Sequence, residues 1–209
     1  MDRIDYEKYI QRFRTGNELI IETILNEETL KLQYLYELLI NKILNDDPND
    51  NKEVINHTRD AMILANQLLE ANDEFSQNEK NIVLGAVILH DYFKYQYNES
   101  HAEKSKEVLD DSAIKNALVG NEEIVITIIQ SHEKNYNTDI LDAKTKEMCH
   151  VLINADQISK LFKHKNWTHN GKYSNKKNKK IVSKIDKRIN GKEAKKLFEE
   201  QLKLFYENK

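Results

Sequence analysis

The stretch that decides the fold is Asn81-Ile-Val-Leu-Gly-Ala-Val-Ile-Leu-His-Asp-Tyr-Phe-Lys94, in which an unbroken apolar run delivers a His-Asp pair. No residue from Ile82 to Leu89 is polar, so a helix built on this run is apolar on every side and belongs in the middle of a fold. Just upstream, Ser76-Gln-Asn-Glu79 has the S-x-x-E spacing of a capping box, in which serine and glutamate satisfy each other's otherwise unpaired backbone N–H groups. That favours a helix over a buried strand. The run ends on His90 and Asp91, two groups costly to bury unless something nearby satisfies them, and a metal ion does so with both.

The rest of the composition agrees with a helical core. One proline and five glycines in 209 residues leave few breakers, and a hydrophobic fraction of 39% beside a charged fraction of 32% points to an all-α protein. The length fits one domain with an appended helical segment. No stretch approaches ~20 apolar residues, and Met-Asp-Arg-Ile-Asp-Tyr-Glu lacks the basic and apolar regions of a signal peptide, so a cytoplasmic location away from membranes is expected. Cys149 is the single cysteine; it excludes an internal disulfide and a multi-thiolate zinc site, leaving nitrogen and oxygen to hold any metal.

Three regions follow from the punctuation. Asp46-Asp-Pro-Asn-Asp-Asn51 holds the only proline and no apolar residue, which makes it the clearest linker. Residues 1–50 before it read as an N-terminal helical extension of two or three helices, with breaks expected at Thr15-Gly16 and Asn26-Glu-Glu-Thr29. One of these helices carries Tyr6, Tyr9, Ile10 and Phe13, and a later one Leu30, Tyr34, Leu35, Leu38 and Leu39. Residues 51–162 hold the core, and 163–209 form a lysine-rich loop and a C-terminal helix. Charge is divided unevenly: residues 1–50 have 11 acids against 6 bases, whereas 160–188 have 11 bases against Asp186 alone. Such a basic segment attracts phosphates, on nucleotides or on nucleic acid.

Within the core, polar residues recur on apolar stripes. A helix from about Glu53 to Ala71 carries His57, Ala61, Leu64, Ala65 and Leu68 at helical spacing. Ser100-His-Ala-Glu103 repeats the capping-box spacing and puts His101 in the first turn of a short helix to about Leu109, where the helix dipole favours neutral imidazole. Val125, Ile128 and Ile129 precede His132 by seven, four and three residues. On a helix from about Ala143 to Phe162, Cys149, Leu152 and Ile153 precede Asp156 in the same way; a buried aspartate there needs a cation or several donors.

Taken in order, His57, His90-Asp91, His101, His132 and Asp156 resemble the ligand pattern of the HD-domain superfamily of metal-dependent phosphohydrolases: His, then His-Asp, then a distant Asp, with two further histidines between in the two-metal branches. The resemblance implies an all-α HD-domain helical bundle over about residues 53–162. It implies two divalent transition-metal ions (Fe, Mn, Co, Ni or Zn), one held by His57, His90, Asp91 and Asp156, the second by His101 and His132, with Asp91 bridging. Two such ions about 3.5–4 Å apart lower the pKa of a bridging water and clamp a phosphoryl group. Lys94, one turn after Asp91, would orient that carboxylate or touch a substrate phosphate.

Leu89-His-Asp-Tyr-Phe-Lys94, Ser100-His-Ala102 and Ile153-Asn-Ala-Asp156 look most like the bacterial branch that hydrolyses dinucleoside tetraphosphates, although the ten positions from Asp91 to His101 are a shorter connection than that branch has. The Glu-Asp motif of stringent-response alarmone hydrolases is absent. The expected activity is hydrolysis of a nucleotide or related small phosphoester. Two other classes share the ligands: a diiron HD-domain oxygenase, and a non-catalytic module that binds nucleotide or nucleic acid through the basic 172–188 segment. The stretch Asn170-Gly-Lys-Tyr-Ser-Asn175 reads as a mobile loop carrying Lys172, with Lys176, Lys177, Lys179 and Lys180 in or just after it.

Overall fold

The apolar run from Ile82 to Leu89 is helical and every residue in it is buried. In the computed structural model, which describes residues 14, 16–18, 21–24, 30–46, 51–92, 94, 103–133, 136–163 and 175–207, this run forms most of helix α3 (Gln77–Leu89). Before it come α1 (Leu30–Asp46) and α2 (Asn51–Glu70). After it come α4 (Ser112–Ala117), α5 (Glu122–Ser131), α6 (Ala143–Ser159), α7 (Asn175–Asp186) and α8 (Lys192–Glu207). Short 3-10 helices span Glu103–Asp110, Thr138–Ile140 and Lys160–Phe162. No strand occurs among the described residues, and the protein is an all-α bundle.

Helix α3 packs against α1, α2, α5 and α6 together, which is how a helix without a polar face is covered. Its start is the capping box read from the sequence: Glu79 N–H donates to Ser76 Oγ at 3.3 Å, and Ser76 N–H donates to Glu79 Oε2 at 2.7 Å. Asp111 caps α4 and Asp142 caps α6 through their carboxylates, each satisfying donors that the first turn leaves unpaired. Helix α2 lies along α6, bringing His57 of one beside Asp156 and Ser159 of the other.

The N-terminal part joins this core. Leu32, Leu35, Tyr36, Leu39 and Ile43 of α1 are buried in the same cluster as α3, while Tyr34, expected on that stripe, is exposed. Gly16 is helical, as are residues 17, 18 and 21–24, so the break expected at the glycine does not occur there; the burial of Ile21 and Ile24 outweighs the roughly 1 kcal/mol that a helical glycine costs. Arg14 makes a bidentate pair with buried Asp60, at 3.1 and 2.8 Å. The helix expected to carry Tyr6 to Phe13 and the break at 26–29 lie outside the described residues.

Part of the basic C-terminal segment is helical. Residues 175–186 form α7, so Lys176, Lys177, Lys179 and Lys180 belong to a helix that begins at Asn175; residues 170–174 of the expected loop, Lys172 among them, lie outside the described residues. The reason is a sparse apolar stripe, in which Ile185 is buried and Ile181 and Val182 pack on the core, on a segment whose lysines tolerate a helix well. No helix among the described residues is long and apolar enough to cross a membrane.

Candidate metal centre

Four helices converge on one cluster. His57 comes from α2, His90 and Asp91 from the end of α3, His132 from the end of α5, and Asp156 from α6; all five are buried. His57, His90 and Asp156 each place a ligand atom within 4.8 Å of the other two. Asp91 Oδ2 is 3.4 Å from His57 Nε2 and 3.6 Å from His90 Nε2. The His132 ring meets the His90 ring edge-on at 5.4 Å between centroids. His101 lies outside the described residues.

The hydrogen-bond network assigns the tautomers. His90 and His132 are the C-cap residues of α3 and α5, and each donates from Nδ1 to the carbonyl three residues back, to Val87 at 2.6 Å and Ile129 at 2.5 Å. One bond thus satisfies a carbonyl at a helix end and fixes the ring. His57 reaches the same state differently. The Ser159 hydroxyl donates to the Asp156 carbonyl at 2.7 Å, so at 3.1 Å it accepts from His57 Nδ1. All three imidazoles therefore carry their lone pair on Nε2.

The lone pairs of His57 and His90 meet each other and the carboxylates. His57 Nε2 is 3.3 Å from His90 Nε2 and 3.3 Å from Asp156 Oδ1. Electron pairs brought together without protons between them repel, and a cation removes the repulsion. Protons do not take that role at neutral pH. Burial and the nearby Lys163 charge lower the His57 pKa to about 3, and burial with the neighbouring His90 lowers His132 to about 4. Neutral imidazole nitrogen beside carboxylate oxygen, with each ring held from behind, is a donor set that fits a divalent transition metal.

Asp156 is held by groups that the sequence did not single out, and Asp91 by Lys94, which it did. Asp156 Oδ2 accepts from Lys160 Nζ at 2.8 Å and from Gln157 Nε2 at 2.8 Å. Burial, the largest single influence, acts to raise the Asp156 carboxyl, yet the Lys160 ammonium and the His57 and His90 rings together hold the group well below the usual carboxylate range. Asp91 Oδ2 accepts from Lys94; burial, the largest single influence, acts to lower the Lys94 pKa, yet the charge and hydrogen bond of Asp91 together with the Asp156 charge leave it raised. Lys163 stands near both carboxylates and near Lys94; burial and the Lys94 charge lower it to about 8. Lys160 follows Asp156 by four residues, the spacing of a helical ion pair, which is the signal that could have found it.

The connector from α7 to α8 closes the cluster from behind. Asn154 Nδ2 donates to the Asn190 carbonyl and Asn190 N–H donates to Asn154 Oδ1, both at 2.9 Å, while Arg188 donates to the His132 carbonyl at 3.1 Å. Gly191, with φ of 88°, supplies the left-handed turn into α8. His150 is half-buried on α6, Cys149 is a buried core residue, and His164 and His169 lie outside the described residues.

A family model for the HD domain matches residues 54–191. The chain belongs to the HD-domain family. The match runs through the α7–α8 connector, so it takes in Arg188 and Asn190 as well as the cluster. HD domains bind divalent metals and are typical of metal-dependent hydrolases, and the His57, His90 and Asp156 cluster is present in this one. No curated protein and no solved structure gives a match to the chain.

Proposed function

We propose that this HD-domain protein is a metal-dependent phosphohydrolase acting on a nucleotide or related small phosphoester through a dinuclear centre. The observation that carries the reading is the set of three imidazoles whose Nδ1–H groups are committed to protein acceptors, with the Nε2 atoms of His57 and His90 beside two buried carboxylates. His57, His90, Asp91 and Asp156 would hold one divalent ion, and His132 with His101 the second, with Asp91 between them. Bound there, the ions would supply an activated water and positive charge for the attacked phosphoryl group.

The protein's own groups do the rest. Ser159, Val87 and Ile129 keep the three rings in one tautomer and orientation. Lys160 and Gln157 hold Asp156 so that Oδ1 faces His57. Lys94, beside Asp91, is placed to offset negative charge that grows on phosphoryl oxygens in the transition state. The ammonium groups at the rim favour a phosphoester over an uncharged substrate, which supports hydrolysis over oxygen chemistry. The finer form, a dinucleoside tetraphosphate as substrate, is supported by the likeness of the Leu89 to Lys94, Ser100 to Ala102 and Ile153 to Asp156 stretches to that branch.

Elemental analysis of the protein as purified, followed by a panel of nucleoside mono-, di- and triphosphates, dinucleoside tetraphosphates and simple phosphomonoesters, tests the proposal. Metal-dependent release of phosphate or of a nucleotide product is the expected result. Oxygen consumption by the ferrous protein without hydrolysis, or binding without turnover, would overturn it.

A further inference from the structure

Three ammonium groups stand against two carboxylates at the open side of the cluster. Lys94 is bonded to Asp91 Oδ2 and Lys160 to Asp156 Oδ2. Lys163 has no carboxylate within ion-pair distance among the described residues, and its charge stands close enough to Lys94 for each to act on the other. Two neighbouring cationic side chains repel, and the more so where solvent is partly excluded. An anion that bridges them removes that cost.

The placement is built into the fold. Lys160 and Lys163 bracket the 3-10 turn Lys160–Phe162, in which Leu161 and Phe162 are buried, so the turn is fixed in the core. The carboxylate side chains are 3% and 7% exposed, whereas the Lys94 and Lys160 side chains are 32% and 28% exposed. A solute approaching from water therefore meets ammonium groups before it meets the acids. Lysine binds phosphate as a point charge, and a phosphate offers enough oxygens and charge for three such groups.

We propose that Lys163, together with Lys94 and Lys160, forms a phosphate-binding subsite at the rim of the His/Asp cluster, gripping a substrate phosphate next to the one that reacts. The inference rests on the hydrolase reading for what the phosphate belongs to, and it selects substrates carrying more than one phosphate. Lys163 binds; it does not carry out the chemistry. Replacing it acts on affinity and leaves the ligands of the cluster in place.

The test is titration calorimetry of inorganic phosphate and pyrophosphate into the full-length, metal-loaded chain, for the wild type, Lys163→Gln and Lys163→Arg. Lys163→Gln is expected to weaken pyrophosphate binding about ten- to hundredfold, the worth of one charge-assisted hydrogen bond, with metal content unchanged. Lys163→Arg keeps most of the affinity. In the wild type, the side-chain nitrogen resonance of Lys163 shifts on adding pyrophosphate, a readout that needs no variant. Unchanged affinity in Lys163→Gln, or a resonance that does not move, overturns the subsite. The two proposals fail separately. Wild-type protein that binds pyrophosphate through Lys163 and hydrolyses no phosphoester sinks the hydrolase reading alone; turnover with affinity indifferent to Lys163 sinks the subsite alone.

Discussion

Asp156 and Asp91 are both buried, both face His57 and both carry a lysine, yet they are held in different ways. Asp156 divides its oxygens: Oδ1 lies 3.3 Å from His57 Nε2, and Oδ2 is taken by Lys160 and Gln157. Asp91 brings one oxygen, Oδ2, to His57, His90 and Lys94 together. The first sits inside α6, with its partners one and four residues away on the same stretch of chain. The second lies past the last turn of α3. The first carboxylate thus offers separate oxygens to the imidazole and to the groups of its own stretch of chain, whereas the second gathers two imidazoles and a lysine at a single oxygen.

The largest test of this contrast is Asp91→Ala. Losing the group that touches two imidazoles and Lys94 is expected to abolish metal retention and take hydrolysis to background, checked by elemental analysis and the phosphoester assay. Full activity in that variant would remove Asp91 from the centre. A smaller and sharper effect separates the two lysines. Lys160→Gln is expected to lower metal affinity about 10- to 100-fold, with kcat recovered at saturating metal and substrate, because the orientation of Asp156 and one grip on phosphate are loosened while the reacting groups stay in place. Lys94→Gln is expected to lower kcat even at saturating metal. If both variants behave alike, the two carboxylates are not distinct.

The smallest effect is on the metal-free protein. His57, at about 3 in the folded state, lies below the ordinary histidine value of 6.5, so between those values the unfolded chain binds a proton that the folded chain does not. Acidification then favours unfolding, with the loss beginning near pH 6.5 and complete below about pH 3. His132, at about 4, acts in the same sense. The Tm of chelator-treated protein is expected to fall steadily from pH 7 to pH 4, and His57→Gln to flatten the fall. A Tm indifferent to pH in the wild type would mean that these rings are not buried neutral.

What was legible in the sequence was local. The apolar run of α3 and the Ser76/Glu79 box are read within a few residues, and each is present as expected. His57, His132 and Asp156 lay on stripes of apolar neighbours, and helical spacing carried them to the core. Lys94 was read beside Asp91, but Lys160, Gln157 and Lys163 were not legible to the same degree. A lysine on a basic stretch is most often a solvated one, and only the tertiary arrangement brings Lys163, 69 positions further along, to Lys94. Helix α7 was hidden for a similar reason, since Ile181, Val182 and Ile185 make a stripe too thin to announce a helix among so many lysines. Gly16 reads as a breaker from its propensity alone, and the burial of Ile21 and Ile24 was out of view.

The paired amides of Asn154 and Asn190 bear on how this chain can be cut. A fragment ending at Phe162 would retain His57, His90, Asp91, His132 and Asp156 and would look sufficient on a map of the sequence. It would nevertheless strip Asn154 of both its partners two residues from Asp156, and leave the His132 carbonyl without Arg188. Together with the loss of buried Ile185, Ile189, Ala194 and Phe198 from the core, this would leave the truncated product less stable and loosen its two nearest helix segments. A protease nick between α7 and α8 would unfasten the same clasp in the intact chain. The shortest expression product worth making therefore runs past Gly191, and cleavage in that connector offers a direct way to slacken the centre without altering any residue that faces it.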